Sequence, residues 1–134
     1  MTKPDTHIKR IIIIDDEQAI RQLCHRVLTG EGFEVDDAAN GTAAQSKISK
    51  QEYDLYLFDI RMPLMDGKEL YSSLQKTDPG ITSRIIFITG SAIGQDTQSF
   101  LQSSGRPVLL KPFGAEELKA IVTQTLKAIE NDRR

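Results

Sequence analysis

The sequence predicts an α/β protein in which helices cover both faces of a parallel β-sheet. Short apolar runs alternate with helical patterns along the 134-residue chain, and the first run, Ile11–Ile14, consists of isoleucine alone. An uninterrupted apolar run is typical of a strand that is buried on both faces of a sheet. Repeated strand–helix units favour a parallel sheet, because each right-handed crossover brings its helix back onto a sheet face.

The same patterns give the expected elements in order. Strands are expected at 11–14, 33–39, 55–58, 85–88 and 108–110. Apolar residues at helical spacing predict helices at 20–28, 43–48, 70–74 and 118–129. The stretch from Gly94 to Ser104 carries Phe100 and Leu101 among many glutamines and serines, so it predicts a helix of low local stability. Asp78-Pro79-Gly80 indicates a turn after the third helix.

Composition and charge exclude several classes of function. Apolar residues make up 39% and charged residues 27% of the chain, its net charge is −2 and its pI is about 5.7. These values are typical of a soluble domain and give no general attraction to nucleic acid or to an anionic membrane. No apolar run is long enough to cross a bilayer, and the polar N-terminus lacks the apolar core of a signal peptide. We therefore expect a cytoplasmic domain at 10–129, with a polar lead-in at 1–9 and a polar tail at 130–134.

Cysteine and histidine offer little chemistry in this chain. The single cysteine, Cys24, excludes an internal disulfide and sits among apolar helical positions, so it is predicted to be a small core residue rather than a reactive thiol. His7 falls in the lead-in and His25 on a helix, and both are expected to be surface residues rather than ligands.

The informative polar residues fall at the carboxyl ends of predicted strands, where open α/β sheets bind their ligands. Asp15 and Asp16 follow the first strand, Asp59 ends the third, Thr89 ends the fourth and Lys111 follows the fifth. Taken alone, each has a structural explanation, because an acidic pair can cap a helix and Asp59 or Thr89 can belong to a turn. Their coincidence at four strand ends favours one shared site.

The chemistry of such a site follows from its charges. Three clustered carboxylates repel one another unless a pKa rises or a cation binds. Mg²⁺ takes one or two carboxylates together with phosphate oxygens, so it suits a small open cluster. Asp59 is then a candidate nucleophile of the kind that forms aspartyl phosphates. Lys111 would stabilise charge on the transferring oxygens, while Thr89 would donate a hydrogen bond to one of them.

The segments that carry these residues resemble the receiver domains of bacterial response regulators. They are Ile11–Glu17, Asp54–Gly67, Ile86–Gly90 and Leu110–Phe113. The second is the most specific, because its aspartate is followed by two residues, Met-Pro, one residue and Met-Asp-Gly. The resemblance extends over about 9–128, nearly the whole chain.

The resemblance implies a fold and a role for each site residue. The implied fold is flavodoxin-like, with strand order 2-1-3-4-5 and helices on both faces. Asp59 matches the phosphoacceptor, Asp16 the direct Mg²⁺ ligand and Asp15 the acid that holds the ion through water. The backbone carbonyl of Arg61 would complete the metal shell. Thr89 and Lys111 match the groups that hold the phosphoryl oxygens.

The resemblance also implies partners. A sensor histidine kinase or a phosphotransfer protein would supply the phosphoryl group, and a downstream protein or output domain would read a change at the surface of helix 4, strand 5 and helix 5. Family members often pair through their fourth and fifth helices, which makes a homodimer a candidate assembly. Slow autodephosphorylation is expected in place of turnover, so the protein is not expected to be an enzyme.

Three alternatives stay open at this point, together with one departure from the family pattern. The chain could be the receiver module of a hybrid histidine kinase, or an interaction module with a vestigial site. A phosphatase that forms an aspartyl phosphate is disfavoured, because Arg61 stands where its general acid would be needed. The departure is Val108, since many members carry Tyr or Phe three residues before the lysine, and the usual coupling of threonine to an aromatic ring is in doubt.

Overall fold

The strands form a single parallel sheet with the order β2-β1-β3-β4-β5, as predicted. A computed structural model describes residues 8–62, 64–90 and 94–132 of the chain. The strands are β1 Arg10–Ile14, β2 Glu34–Ala38, β3 Leu55–Asp59, β4 Ile85–Thr89 and β5 Val108–Leu110. Their carboxyl ends therefore lie along one rim of the sheet, which is the rim predicted to carry the site.

Five α-helices connect and follow the strands. They are α1 Gln18–Gly30, α2 Gly41–Lys50, α3 Gly67–Thr77, α4 Gln95–Ser104 and α5 Ala115–Asp132. A 3₁₀-helix at Pro79–Arg84 was not predicted, because its proline and glycine indicate only a turn in the sequence. The helix α5 continues past position 129, where we expected the domain to end. Most of the expected lead-in, including His7, lies outside the described residues.

The alternation of β1 residues between two cores shows why the helices lie on both faces. Ile12 and Ile14 belong to the core under α2, α3 and α4, whereas Ile11 and Ile13 belong to the core under α1 and α5. Each of the four isoleucine side chains is fully buried. Cys24 lies in the second core as predicted, and burial raises the pKa of its thiol to about 12. A thiol with that pKa is not a nucleophile at neutral pH.

The two edge strands differ from the three central ones in a way that the sequence reflects. β2 carries glutamate and two aspartates and has one buried residue, Ala38, whereas every residue of β3 and β4 is buried. A strand at the edge of a sheet needs less apolar surface, and charges there discourage pairing with another chain. Within the described residues, no helix combines the length and apolar character needed to cross a membrane.

Candidate functional site

The carboxyl rim of the sheet brings together the side chains of residues that are far apart in sequence. Asp15 directly follows β1, Asp59 is the last residue of β3, Thr89 is the last residue of β4, and Lys111 directly follows β5. The parallel register pairs Asp59 with Ile88 and Thr89 with Leu110, which sets the ends of these strands level with one another. The backbone N–H of Lys111 donates to the carbonyl oxygen of Thr89 at 2.8 Å, so the chain stays fixed to β4 beyond the end of β5.

The Lys111 ammonium group lies at the centre of the site. Its nitrogen donates hydrogen bonds to Glu17 Oε1 at 2.7 Å, to Asp59 Oδ2 at 2.9 Å and to Asp15 Oδ1 at 3.4 Å. Burial alone would lower the pKa of Lys111, but these bonds, first of all the one to Glu17, raise it above its ordinary value. Lys111 is therefore positively charged at neutral pH.

Asp15 is the most deeply buried acid of the site. Its side chain is fully inaccessible, Oδ1 accepts the backbone N–H of Glu17 at 2.9 Å, and its carbonyl oxygen accepts a hydrogen bond from the Arg21 guanidinium at 2.7 Å. Burial raises the pKa of Asp15 from 3.8 to about 6; the Glu17 N–H opposes the rise and the charge of Asp59 adds to it. Asp15 Oδ2 is buried and accepts no hydrogen bond from the described residues.

Asp59 is held by the loop that follows it. Oδ1 accepts the backbone N–H of Arg61 at 3.0 Å, and Oδ2 accepts Lys111. The loop is closed by a hydrogen bond of 3.1 Å from Gly67 N to Ile60 O, and Gly67 lies so close to β3 that a Cβ there would be 2.6 Å from the Asp59 carbonyl oxygen. One oxygen of the Asp59 carboxylate thus accepts a backbone N–H and the other accepts the Lys111 ammonium, at the carboxyl end of the sheet.

Thr89 and Arg61 lie at the predicted positions, the end of β4 and the loop after β3. The Thr89 side chain is buried, and its hydroxyl donates to the backbone oxygen of Gly90 at 3.4 Å, a long hydrogen bond. Arg61 presents its backbone N–H to Asp59, while its side chain is exposed, so the assignment of its carbonyl as a metal ligand stays a prediction.

The acidic cluster fits a hard divalent cation. Asp15, Asp16, Glu17 and Asp59 each offer one carboxylate oxygen, and these oxygens lie within 4.8 Å of one another. Such an all-oxygen set is what Mg²⁺ prefers, and the unsatisfied Asp15 Oδ2 is a buried acceptor that the ion or one of its waters would satisfy. Sequence reasoning had placed Asp15, Asp16 and Asp59 here.

Glu17 is the site residue that sequence reasoning missed. It belongs to the Asp-Asp-Glu segment after β1, yet we predicted no role for it, because nothing in the spacing says toward which group a side chain at the start of a helix turns. The available signal was its position one residue beyond Asp16, at the same rim as Lys111.

A shallow groove adjoins the site at Asp16. It has a volume of about 420 Å³, and the residues that line it include Asp16, Arg61, Lys68 and Thr97. The groove runs from Asp16 along the loop after β3 to Thr97 of α4.

Comparison with known proteins gives one consistent family. A family model described as the response regulator receiver domain matches residues 11–123. Sporulation initiation phosphotransferase F of Bacillus subtilis is 31% identical over 123 residues, which cover 92% of this chain and 98% of that protein. The transcription factor SKN7 of Saccharomyces cerevisiae is 33% identical over 117 residues, which cover 87% of this chain and 18% of that protein. This chain therefore spans only a small part of some relatives that it matches.

The solved structures agree with this result. The crystal structure of a CheY-like response regulator receiver domain protein from Methanospirillum hungatei has a TM-score of 0.84 and 32% sequence identity. The match covers 94% of this chain and 99% of that one. The likeness therefore extends over the whole sheet and its helices rather than over the acidic rim alone.

Proposed function

This chain belongs to the family of response regulator receiver domains, and from that premise we propose that it accepts a phosphoryl group on Asp59 in a Mg²⁺-dependent reaction. The observation that carries the proposal is the pairing of Asp59 with Lys111 at 2.9 Å beside a buried acid, Asp15, that has an unsatisfied oxygen. A nucleophilic carboxylate, a cation for the transferring oxygens and an acidic cluster for a metal ion are the groups that phosphoryl transfer to aspartate needs.

The proposed step moves one phosphoryl group and consumes no other reactant. A carboxylate oxygen of Asp59 attacks the phosphorus of the donor and forms the new O–P bond. The bond from phosphorus to the donor breaks, and the donor nitrogen of a phosphohistidine, or the leaving oxygen of a small acyl phosphate, keeps the electron pair. Lys111 holds the charge that develops on the phosphoryl oxygens, and the Thr89 hydroxyl donates to one of them after turning away from Gly90.

Asp15, Asp16 and Asp59 would hold the metal ion, with Glu17 near enough to contribute. Bound Mg²⁺ would neutralise charge on the phosphoryl oxygens. The backbone N–H of Arg61 orients Asp59 by donating to its Oδ1. The buried carboxylate of Asp15 attracts the Lys111 ammonium and keeps it near Asp59.

The proposed partners follow from the family. A histidine kinase or a phosphotransfer protein supplies the phosphoryl group, and a change at α4, β5 and α5 is read by a downstream protein or output domain. Asp59 loses the group slowly, so the protein acts as a phosphorylated switch rather than as an enzyme with turnover. The exposed Leu110 on β5 belongs to the surface that would change, and a homodimer through α4 and α5 remains a prediction.

Intact-mass analysis after incubation with acetyl phosphate tests the proposal. Parallel samples contain Mg²⁺, a chelator, or the Asp59→Asn variant with Mg²⁺. We expect one added phosphoryl group in the first sample and none in the other two. Added mass in the variant would place the group elsewhere, and no added mass in any sample, together with no Mg²⁺ binding, would mean that the site is vestigial.

A further inference from the structure

Lys111 has no hydrogen-bond donor left for a phosphoryl group. A lysine ammonium carries three N–H donors, and those of Lys111 are engaged by Glu17, Asp59 and Asp15 at 2.7, 2.9 and 3.4 Å. If Lys111 is to hold a phosphoryl oxygen while it stays near Asp59, one of these bonds has to break.

The three partners differ in how readily they can be released. The side chains of Asp15 and Asp59 are 0% and 7% exposed, so without Lys111 the carboxylate of Asp15, and that of Asp59 until it is phosphorylated, would be buried with fewer partners. The Glu17 side chain is 57% exposed, and water can replace the ammonium as its partner. Glu17 makes the shortest of the three bonds and is also the partner that is easiest to release.

The position of Glu17 argues against a purely structural role. It is the N-cap residue of α1, where a short polar side chain would accept a backbone N–H of the first turn. The Glu17 side chain makes no such capping bond. Its carboxylate extends instead to the residue after β5, a contact that joins positions 94 apart in sequence.

We propose that Glu17 is a positioning residue that holds the Lys111 ammonium in the unphosphorylated site and gives it up when a phosphoryl group arrives. The inference rests on the proposed function, because it concerns the same site. Glu17 then competes with the phosphoryl group for Lys111. It also adds negative charge to the cluster that binds the cation, since its oxygen lies within 4.8 Å of those of Asp15, Asp16 and Asp59.

These two effects act on different quantities and can be separated. In Glu17→Gln, loss of the charge should weaken Mg²⁺ binding, so the Mg²⁺ concentration for half-maximal phosphorylation rises. At saturating Mg²⁺ the same variant should bind the phosphoryl mimic beryllofluoride about two- to fivefold more tightly, the range expected when an exposed ion pair no longer competes. In Glu17→Asp the charge is kept but the shorter side chain does not reach Lys111. Its Mg²⁺ midpoint should stay close to that of the wild type, while its affinity for beryllofluoride rises.

The experiment is a titration of the full chain with beryllofluoride, followed by fluorine NMR, at limiting and at saturating Mg²⁺. Glu69→Gln is the matched control, because Glu69 is an exposed acid in the first turn of α3 and lies outside the acidic cluster. Unchanged or weaker beryllofluoride binding in both Glu17 variants, beside normal binding by the wild type, would overturn the inference alone. A wild-type protein that binds no beryllofluoride, and that acetyl phosphate does not phosphorylate, contradicts the proposed function and this inference with it.

Discussion

The Lys111 ammonium nitrogen lies 3.0 Å from Asp15 Oδ2, yet this buried oxygen accepts no hydrogen bond from any described residue. The ammonium donates instead to the other oxygen of the same carboxylate, at 3.4 Å. Lys111 and Asp15 Oδ2 therefore attract one another electrostatically without a hydrogen bond between them. This incomplete pairing, together with burial, leaves the charged form of Asp15 poorly stabilised and open to a further cation.

The raised pKa of Asp15 predicts a pH-dependent stability. The folded protein holds the Asp15 proton more tightly than the unfolded chain does, because burial raises the pKa from 3.8 to about 6. The contribution of Asp15 to the free energy of unfolding is therefore fully present below about pH 4, is lost as the pH rises toward about 6, and stays lost above that pH. In the absence of Mg²⁺, we expect Asp15→Asn to increase the free energy of unfolding at pH 7.5 by up to about 3 kcal/mol.

Urea denaturation between pH 4 and pH 8 checks this expectation. The gain from Asp15→Asn should become small near pH 4, which is close to the pKa of 3.8 in the unfolded chain and well below the pKa of about 6 in the folded protein. Addition of Mg²⁺ should stabilise the wild type more than the variant, since the variant has lost a carboxylate of the cluster. A gain of the same size at every pH would show that the substitution acts through packing and not through the ionisation of Asp15.

Gly67 predicts a second effect, on the position of Asp59. A Cβ at Gly67 would lie 2.6 Å from the Asp59 carbonyl oxygen and 2.8 Å from the Ile60 Cα, both backbone atoms that cannot move aside without shifting the strand end. Gly67→Ala should destabilise the protein by about 1–3 kcal/mol and slow phosphorylation by acetyl phosphate. The control is Gly30→Ala, because a Cβ at Gly30, the last residue of α1, meets nothing within 4 Å. Equal stability and equal rates for the two variants would contradict the expectation.

The sheet and most of the site could be predicted from the sequence, because both follow from where the apolar runs and the polar residues fall along the chain. β1 and β3 are short uninterrupted apolar runs, a length and pattern typical of strands buried on both faces, and the ends of those strands then place Asp59 and Lys111 together. The contact of Glu17 with Lys111 could not be predicted in the same way. It depends on which way a flexible side chain turns at the start of α1, and that choice is made by the charges around it in the folded protein.

The backbone conformation of Leu64 could not be predicted from the sequence either. This residue has φ 70°, in the left-handed region that glycine and asparagine adopt most readily, and its side chain is 79% exposed. The strain costs about 1–2 kcal/mol and little apolar burial offsets it. We expect Leu64→Gly to raise the free energy of unfolding by about 0.5–1 kcal/mol, because relief of strain exceeds the added entropy of the unfolded chain. Leu64→Ala keeps the Cβ and should show no such gain in the same urea titration.

The last prediction concerns how phosphorylation of Asp59 would change the surface at α4 and β5 when position 108 is valine rather than an aromatic residue. Val108 packs against the same core as Phe100 of α4, whose ring centroid lies 5.5 Å from those of Tyr71 and Phe87. The helix α4 itself thus supplies the aromatic group beside β4. This helix has no side-chain cap at Gly94, and one of its residues, Leu101, is buried. We expect beryllofluoride with Mg²⁺ to change amide hydrogen exchange at 95–104 and 108–110 more than in α1.

The Phe100→Leu variant tests whether the Phe100 ring couples α4 to the site, separately from phosphorylation itself. Phe100 is not one of the residues that we assign to the reaction, so phosphorylation by acetyl phosphate should proceed at the wild-type rate. The smaller side chain should weaken the packing of α4 on Tyr71 and Phe87, so exchange at 95–104 should be faster before the mimic is added and should change less when it binds. Equal protection of α4 with and without the mimic in the wild type would show that phosphorylation is not read at this surface. A full response in Phe100→Leu would show that it is read there without the ring.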